Sequence, residues 1–388
     1  MCDTLVALGD ATKDGSVIFG KNSDRPSTEA QLITYVPRTK HQEKEVKTTY
    51  ITIPQVKETA AIILSQPWWM WGAEMGCSDN GLVIGNEAVS SHEPLRSEGL
   101  LGMDLLRLGL ERAENARHGI EVITSLLENF HQGGGCAYRD PSWKYHNSFI
   151  IADFEEAWVL ETADDWWIAE QVKNVRSISN GLTIRGKGDL RREGIIQHAV
   201  NKDYCKDDAD FDFARTFSGS IPSDSPYTRK GKSARLLERY EGEITSKKMM
   251  DFLREHEAGL CMHGGFESVG SQVSHLTNNQ IQIHWFTGTT LPCQSLYKPY
   301  IFPINDQFYL ESAPYTEKDE RWIWVKHAHE VRNKGENNST KQVFEAKLRK
   351  QINNLLHNKD SIPTEEFQKE VWELNKEAWN FSKRNIEQ

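Results

Sequence analysis

Short apolar runs separated by turn-forming residues dominate the first two thirds of the chain. Thr4-Leu5-Val6-Ala7-Leu8 and Ser16-Val17-Ile18-Phe19-Gly20 read as strands, and Asp14-Gly15 between them is a hairpin signal. Such pairing returns the end of the second strand to the beginning of the first, so Lys21 and Asp24 are expected beside residue 2. Thr49–Ile53, Ala60–Leu64 and Leu82–Glu87 are further strand candidates, the last running out of the turn residues Gly76–Gly81. Apolar residues then recur at helical spacing from Gly102 to Phe130, predicting two helices parted near His118-Gly119.

Beyond the loop Gln132–Gly135, the runs Ser148–Asp153, Ala157–Thr162 and Trp166–Val172 predict a three-strand meander, continued by Val175–Asn180. Residues 203–231 are polar and read as a long excursion. Helices are expected over Lys232–Arg239 and Thr245–His256, and strands over Gln272–Leu276 and Ile281–Phe286. From Tyr315 onward the chain is charged with helical periodicity, and Trp324, His327, Val331, Val343, Leu348, Ile352 and Leu355 mark its expected inward face. Strand groups alternating with helix groups predict an α+β fold of two stacked sheets with helices outside.

Composition narrows the function classes. A formal charge of −10 argues against nucleic acid as the main partner. No apolar run approaches the ~18–20 residues that span a bilayer, and Asp3, Asp10 and Asp14 interrupt any signal peptide. The cysteines at 2, 77, 136, 205, 261 and 293 are far apart and lack CxxC spacing, which suits reduced thiols in the cytoplasm and predicts neither disulfide nor metal. The histidines do not cluster at ligand spacing, and His275 and His284 are expected to be packed or solvent-facing. Trp68-Trp69-Met70-Trp71 and Trp166-Trp167 read as core or pocket wall. HExxH, the EF-hand loop and Gly-x-Ser-x-Gly are absent, and Gly231-Lys232-Ser233 lacks the leading glycine and strand of a phosphate loop.

The chemistry concentrates at the beginning. A cysteine after the initiator methionine is small enough for trimming, which would leave one residue carrying both a thiol and an α-amine. Their reference pKa values are about 8.5 and about 7.7–8.0, so the amine can take the thiol's proton. Taken alone, Cys2 reads as a small buried hydrophobe, and Asp24 as a turn aspartate before Arg25-Pro26.

Cys2-Asp3-Thr4-Leu5-Val6-Ala7-Leu8, followed by Lys13-Asp14-Gly15-Ser16-Val17-Ile18-Phe19-Gly20-Lys21-Asn22-Ser23-Asp24-Arg25-Pro26, resembles the N-terminus of the secernins. These are similar to cysteine-type N-terminal nucleophile hydrolases, with bacterial dipeptidases nearest and penicillin V acylases and bile salt hydrolases more distant. The resemblance implies a four-layer αββα sandwich over residues 2–305, with residues 306–388 a charged helical extension packed on it. It implies Cys2 as nucleophile and Asp24 beside it. Lys21 stands where the relatives carry arginine, keeping the charge but losing the planar fork. Gly76-Cys77-Ser78-Asp79-Asn80-Gly81-Leu82 looks like the relatives' oxyanion segment, with the backbone N–H at Ser78 as donor. Asn180, in Ile178-Ser179-Asn180-Gly181, resembles a second donor, though Asn-Gly is also a common turn. Arg235 resembles an active-site arginine and equally suits the surface.

The implied function is hydrolysis of a small amide or dipeptide C–N bond through a Cys2 acyl-enzyme, without cofactor or metal. The alternative is a non-catalytic secernin-like regulator of the exocytosis type on the same scaffold. Oligomeric state, a homo-oligomer included, is left open.

Overall fold

The computed structural model describes residues 2–218, 221–304, 307–311, 319–334 and 339–386. Two antiparallel sheets carry the architecture. The smaller contains β1 (Cys2–Ala7), β2 (Val17–Pro26) and four strands from later in the chain. The larger contains β3 (Gln31–Val36), β4 (Ile62–Pro67), β5 (Met75–Ser78), β6 (Val83–Val89), β7 (His146–Ala152), β8 (Ala157–Ala163), β9 (Trp166–Gln171) and a short strand at Leu190–Arg191. In space it runs from that short strand through β9 in descending order to β3.

The strands of the larger sheet are apolar on both faces because both faces are covered. Ile63, Val83, Ile150 and Val159 point to the layer between the sheets. Their neighbours Ile62, Leu64, Ile84, Phe149, Ile151 and Leu160 point the other way, against helices. Those helices are α1 (Gly102–Arg112) and α2 (Ala116–Phe130). They part at Ala113–Asn115, where Asn115 accepts the His118 N–H at 2.9 Å and Asp153 accepts the Ala116 N–H at 2.7 Å. The expected break at His118-Gly119 therefore falls inside α2: an asparagine cap starts a helix more strongly than a lone glycine stops one.

The expected β1–β2 hairpin forms, with Cys2 opposite Ser23 and Thr4 opposite Lys21. Its connection is wider than a two-residue turn and includes a 3₁₀ turn at Gly9–Ala11. Gly15 sits there at φ +74°, a conformation suited to glycine. The meander expected at β7, β8 and β9 also forms, but Val175–Ile178 does not continue it. This strand, β10, crosses to the smaller sheet and pairs with β1, placing Ile178 opposite Thr4. Asn180 is thereby brought to the beginning of the chain.

The smaller sheet continues past β2 with β11 (Phe266–Leu276), β12 (Gln282–Phe286) and β13 (Lys298–Tyr300). A bulge at Val269 interrupts the β2–β11 register between Ser268 and Gly270. Two helices cover its outer face: α3 (Arg229–Arg239), against β10 and β1, and α4 (Ser246–Leu253), against β2 and β11. With β1 lying against β6 and β7 across the interior, the layers are helix, sheet, sheet, helix. Part of the polar excursion expected over 203–231 is instead the helix Phe213–Phe217, which buries both phenylalanines. Residues 219–220 of that stretch lie outside the described residues.

The expected boundary at 305/306 and the expected start of the tail at Tyr315 also lie outside the described residues. Among the described residues, three tail helices follow, α5 (Ile323–Lys334), α6 (Ser339–His357) and α7 (Thr364–Ile386). Trp324, His327, Leu348 and Ile352 face inward, whereas Val343 is 73 % exposed. The tail closes the β13 edge: Asn375 donates to Pro299 O at 2.8 Å, and Trp379 Nε1 donates to Tyr300 Oη at 2.9 Å. Glu345 of α6 pairs with Arg254 at 2.6 Å. No helix among the described residues is long and apolar enough to cross a membrane.

Candidate active site

Cys2 opens β1, and β10 and β2 hold that strand on either side. Strand alternation turns the Cys2 and Thr4 side chains toward the larger sheet and the Asp3 side chain toward the helix layer. The Cys2 thiol is buried, 5 % exposed, with Sγ accepting the Asp24 N–H at 3.3 Å. Glu74 Oε2 lies 3.9 Å from the sulfur. Burial pushes the thiol up to about 12, with the Lys21 cation opposing it. The Cys2 nitrogen donates to Asn180 Oδ1 at 2.8 Å.

Arg229, the first residue of α3, ties these groups together. Thr228 caps the helix by accepting the Gly231 N–H at 3.2 Å, which fixes where the helix starts. Arg229 Nη1 donates to Cys2 O at 2.9 Å and to Asp3 Oδ2 at 2.7 Å, while Nη2 donates to Asn180 Oδ1 at 2.6 Å. The same Nη1 is 3.7 Å from Asp24 Oδ2. One guanidinium thus meets the Cys2 carbonyl, the Asp3 carboxylate and the amide that holds the Cys2 nitrogen.

Asp24 stands opposite Ser268, and the Ser268 hydroxyl donates to Oδ1 at 2.6 Å. Burial pushes its carboxyl up to about 6, with Arg229 opposing the shift. Asp3 is also held above the ordinary carboxylate range by burial, while Arg229 and a hydroxyl from Ser179 favour its charged form. On the larger sheet, β6 receives Lys21: Nζ donates to Asn86 O at 2.6 Å and lies 3.2 Å from Glu87 Oε2. Both side chains are fully buried, and burial pushes Glu87 up to about 8 against the pull of Lys21. Lys21 therefore acts on the thiol as a cation through space. Arg25 forms the far wall, pairing with Glu74 at 2.5 Å and Glu29 at 2.7 Å.

Cys2, Lys21, Asp24 and Asn180 are brought together; Ser78 and Arg235 are not. The Ser78 N–H donates to Leu82 O at 2.8 Å, closing the turn after β5, so it offers no donor to an oxyanion. Arg235 is exposed on α3. The helix begins three residues before the expected Lys232, and this earlier start presents Arg229 to the site instead. Asn180 turns its carbonyl oxygen to Cys2 and donates one N–H to Ala88 O at 2.9 Å, leaving its second N–H for another acceptor. Arg229, Asp3, Glu74 and Ser268 escaped the sequence reading. Only Arg229 carried a local signal, the capping threonine before it; the others are recruited by sheet register and inter-sheet packing.

The arrangement gives a thiol, a nitrogen on the same residue held by an amide oxygen, and a cation on the carbonyl, with Cys2 and Asp24 buried. A larger depression of about 1000 Å³, lined by Lys13, His275, Arg349 and others, contacts β2 at Ile18 and includes none of these residues. His275 there meets Asp14 at 2.9 Å, and His284 is buried against Ser274 at 2.8 Å. A separate group of His256, Cys261, His263 and Cys293 has metal-ligand character and lies along the rim next to Arg229.

A model of the family described as peptidase family C69 matches residues 1–254. Among solved structures, the chain is similar to the C2A mutant of conjugated bile acid hydrolase from Clostridium perfringens, with 13 % identity and a TM-score of 0.46. That match covers 82 % of this chain and 97 % of the other. For penicillin V acylase from Agrobacterium tumefaciens the identity is 10 %, the coverage 78 % and 86 %, and the TM-score 0.45. An N-acylethanolamine-hydrolyzing acid amidase ortholog from Caenorhabditis elegans matches at 12 % identity over 70 % and 92 %, with a TM-score of 0.38.

Proposed function

The chain belongs to peptidase family C69, a family of cysteine-type N-terminal nucleophile hydrolases, and we propose that it hydrolyses the C–N bond of a small amide or dipeptide through an acyl-enzyme on Cys2. The observation that carries this reading is the convergence of Cys2, Asn180 and Arg229, with the Cys2 nitrogen 2.8 Å from Asn180 Oδ1. Removal of Met1 turns that nitrogen into an α-amine already held in place. The amine takes the thiol proton, and the sulfur attacks the substrate carbonyl carbon. Collapse of the tetrahedral intermediate breaks the C–N bond, and the α-ammonium returns its proton to the departing amine. Water, deprotonated by the amine, then attacks the thioester, releases the acid and restores the thiol.

Burial favours the protonated thiol, which suits transfer of its proton to the amine in step with the attack. Asn180's second N–H and the Arg229 guanidinium are the groups suited to hold negative charge on the oxyanion. Asp24, close to Arg229 and bonded to Ser268, is suited to support the ammonium.

The test is intact mass and N-terminal residue of the purified chain, followed by turnover on a panel of dipeptides and N-acyl amides. Loss of Met1, with turnover that Cys2→Ala abolishes at unchanged melting temperature, is the expected result. Retained Met1, or a fully trimmed chain inert on every amide, would sink the proposal in favour of a non-catalytic role.

A further inference from the structure

Two cysteines and two histidines from two loops meet at one point beside Arg229. His256 follows α4, Cys261 and His263 precede β11, and Cys293 lies between β12 and β13. Their ligand atoms all lie within 4.8 Å of one another. His263 Nε2 is 3.3 Å from Cys293 Sγ and 3.7 Å from Cys261 Sγ. A tetrahedral ion with Zn–S of about 2.3 Å and Zn–N of about 2.0–2.1 Å needs sulfur and nitrogen about 3.6 Å apart along each edge. The two separations bracket that value. The His256 and His263 rings meet edge to face with centroids 5.1 Å apart.

We propose that His256, Cys261, His263 and Cys293 form a Cys₂His₂ zinc site that clamps the loop between α4 and β11 to the loop after β12. The donor set is chemically selective: thiolate and imidazole together favour zinc over the oxygen-seeking magnesium and calcium. Two thiolates and two neutral imidazoles balance the ion's charge, and each thiol releases its proton on binding. Four protein ligands close the coordination sphere, which makes this a structural site rather than one with an open position for substrate.

What the clamp would hold is specific. Asn22 Nδ2 donates to Leu253 O and Leu260 O at 2.7 Å each, tying the start and the middle of the loop to β2. Met262, between two ligands, donates its N–H to Ser268 Oγ at 3.0 Å, and Ser268 donates to Asp24. The loop also shares a shallow depression with Arg229. The ion therefore fixes the wall through which Asp24 is positioned. No CxxC or HxxxH spacing marks this site in the sequence, because three ligands share the loop between α4 and β11 and the fourth comes from the loop after β12.

The experiment is metal analysis of the full chain purified without chelator, before and after reduction and dialysis against zinc. About one zinc per chain is expected, together with a melting temperature that falls when a strong chelator removes it. Cobalt substitution should give the sulfur-to-cobalt charge-transfer and tetrahedral ligand-field bands, a readout on the unmutated chain that does not depend on how variants fold. Cys293→Ser and His263→Ala should lose most of the metal, while Cys205→Ser keeps it. A wild-type chain that retains no zinc after reduction and dialysis overturns the proposal, as does zinc that persists in both ligand variants. Cys2→Ala should bind zinc as the wild type does, so this inference and the hydrolase reading fail separately.

Discussion

At Arg229 a single side chain bears on both folding and chemistry. Asp3 is fully buried, and Arg229 is the cation 2.7 Å from its carboxylate. Arg229→Gln should therefore destabilise the chain by about 3–5 kcal/mol, the cost of leaving a buried charge without its partner. Adding Asp3→Asn should recover part of that loss, and denaturant unfolding of the four chains of the cycle measures the coupling. Asp24 offers a test by pH. Its carboxyl is raised to about 6 from an unfolded value of about 3.9. The native state binds the proton more tightly, so its stabilising contribution is full below about pH 4 and is lost as pH rises through 6. With Asp24 in its proposed role of supporting the ammonium, activity should climb as pH rises through about 6. Asp24→Asn should remove both changes, seen as the difference between the two proteins' unfolding curves and pH–rate profiles. Cys2 and Asp24 were legible because one hairpin joins them. Arg229 was not, since six positions separate it from Arg235 and only the cap shows which one begins the helix.

Between elements, β6 lies against β1 across the interior, with Gly85 beside Lys21 of β2. A Cβ on Gly85 would lie 2.5 Å from Lys21 Cδ and 3.0 Å from both Phe19 Cζ and Thr4 Oγ1. Gly85→Ala should cost about 1–3 kcal/mol by overpacking and displace Lys21 from Glu87; a lowered denaturation midpoint checks it. Trp324 braces the bulge in β11, donating to Val269 O at 2.7 Å next to Ser268. Trp324→Phe keeps the ring but leaves that carbonyl without its donor, for about 1–3 kcal/mol. Turnover should fall with it, because Ser268 loses its support; unfolding curves and kcat measured together test the link. Strand runs such as Ile150 and Val159 were readable from their apolar character. The destination of β10 was not: its pattern suits either sheet, and only packing selects β1 as its partner.

For the whole molecule, the tail is part of the closure of the smaller sheet. Without α5, α6 and α7, the β13 edge would lose Asn375 and Trp379, and Arg254 would lose Glu345. A chain ended at residue 311 should consequently aggregate, exposing an unpaired strand edge and apolar surface; soluble yield and size-exclusion elution test this. Helical periodicity announced the tail correctly through Trp324 and Leu348 and misjudged Val343, whose spacing is right but whose side of α6 faces water.

The passage of β10 from one sheet to the other also sets a clock. Asn180 meets Cys2 across 178 positions, Arg229 across 227, and Ser268 meets Asp24 across 244. Contacts of such sequence separation close late and slowly. During synthesis the thiol exists long before its partners do, and it acquires them only when both sheets and α3 are in place. Reactivity at Cys2 is then a report of completed folding, and an unfinished chain has no working hydrolase to misdirect.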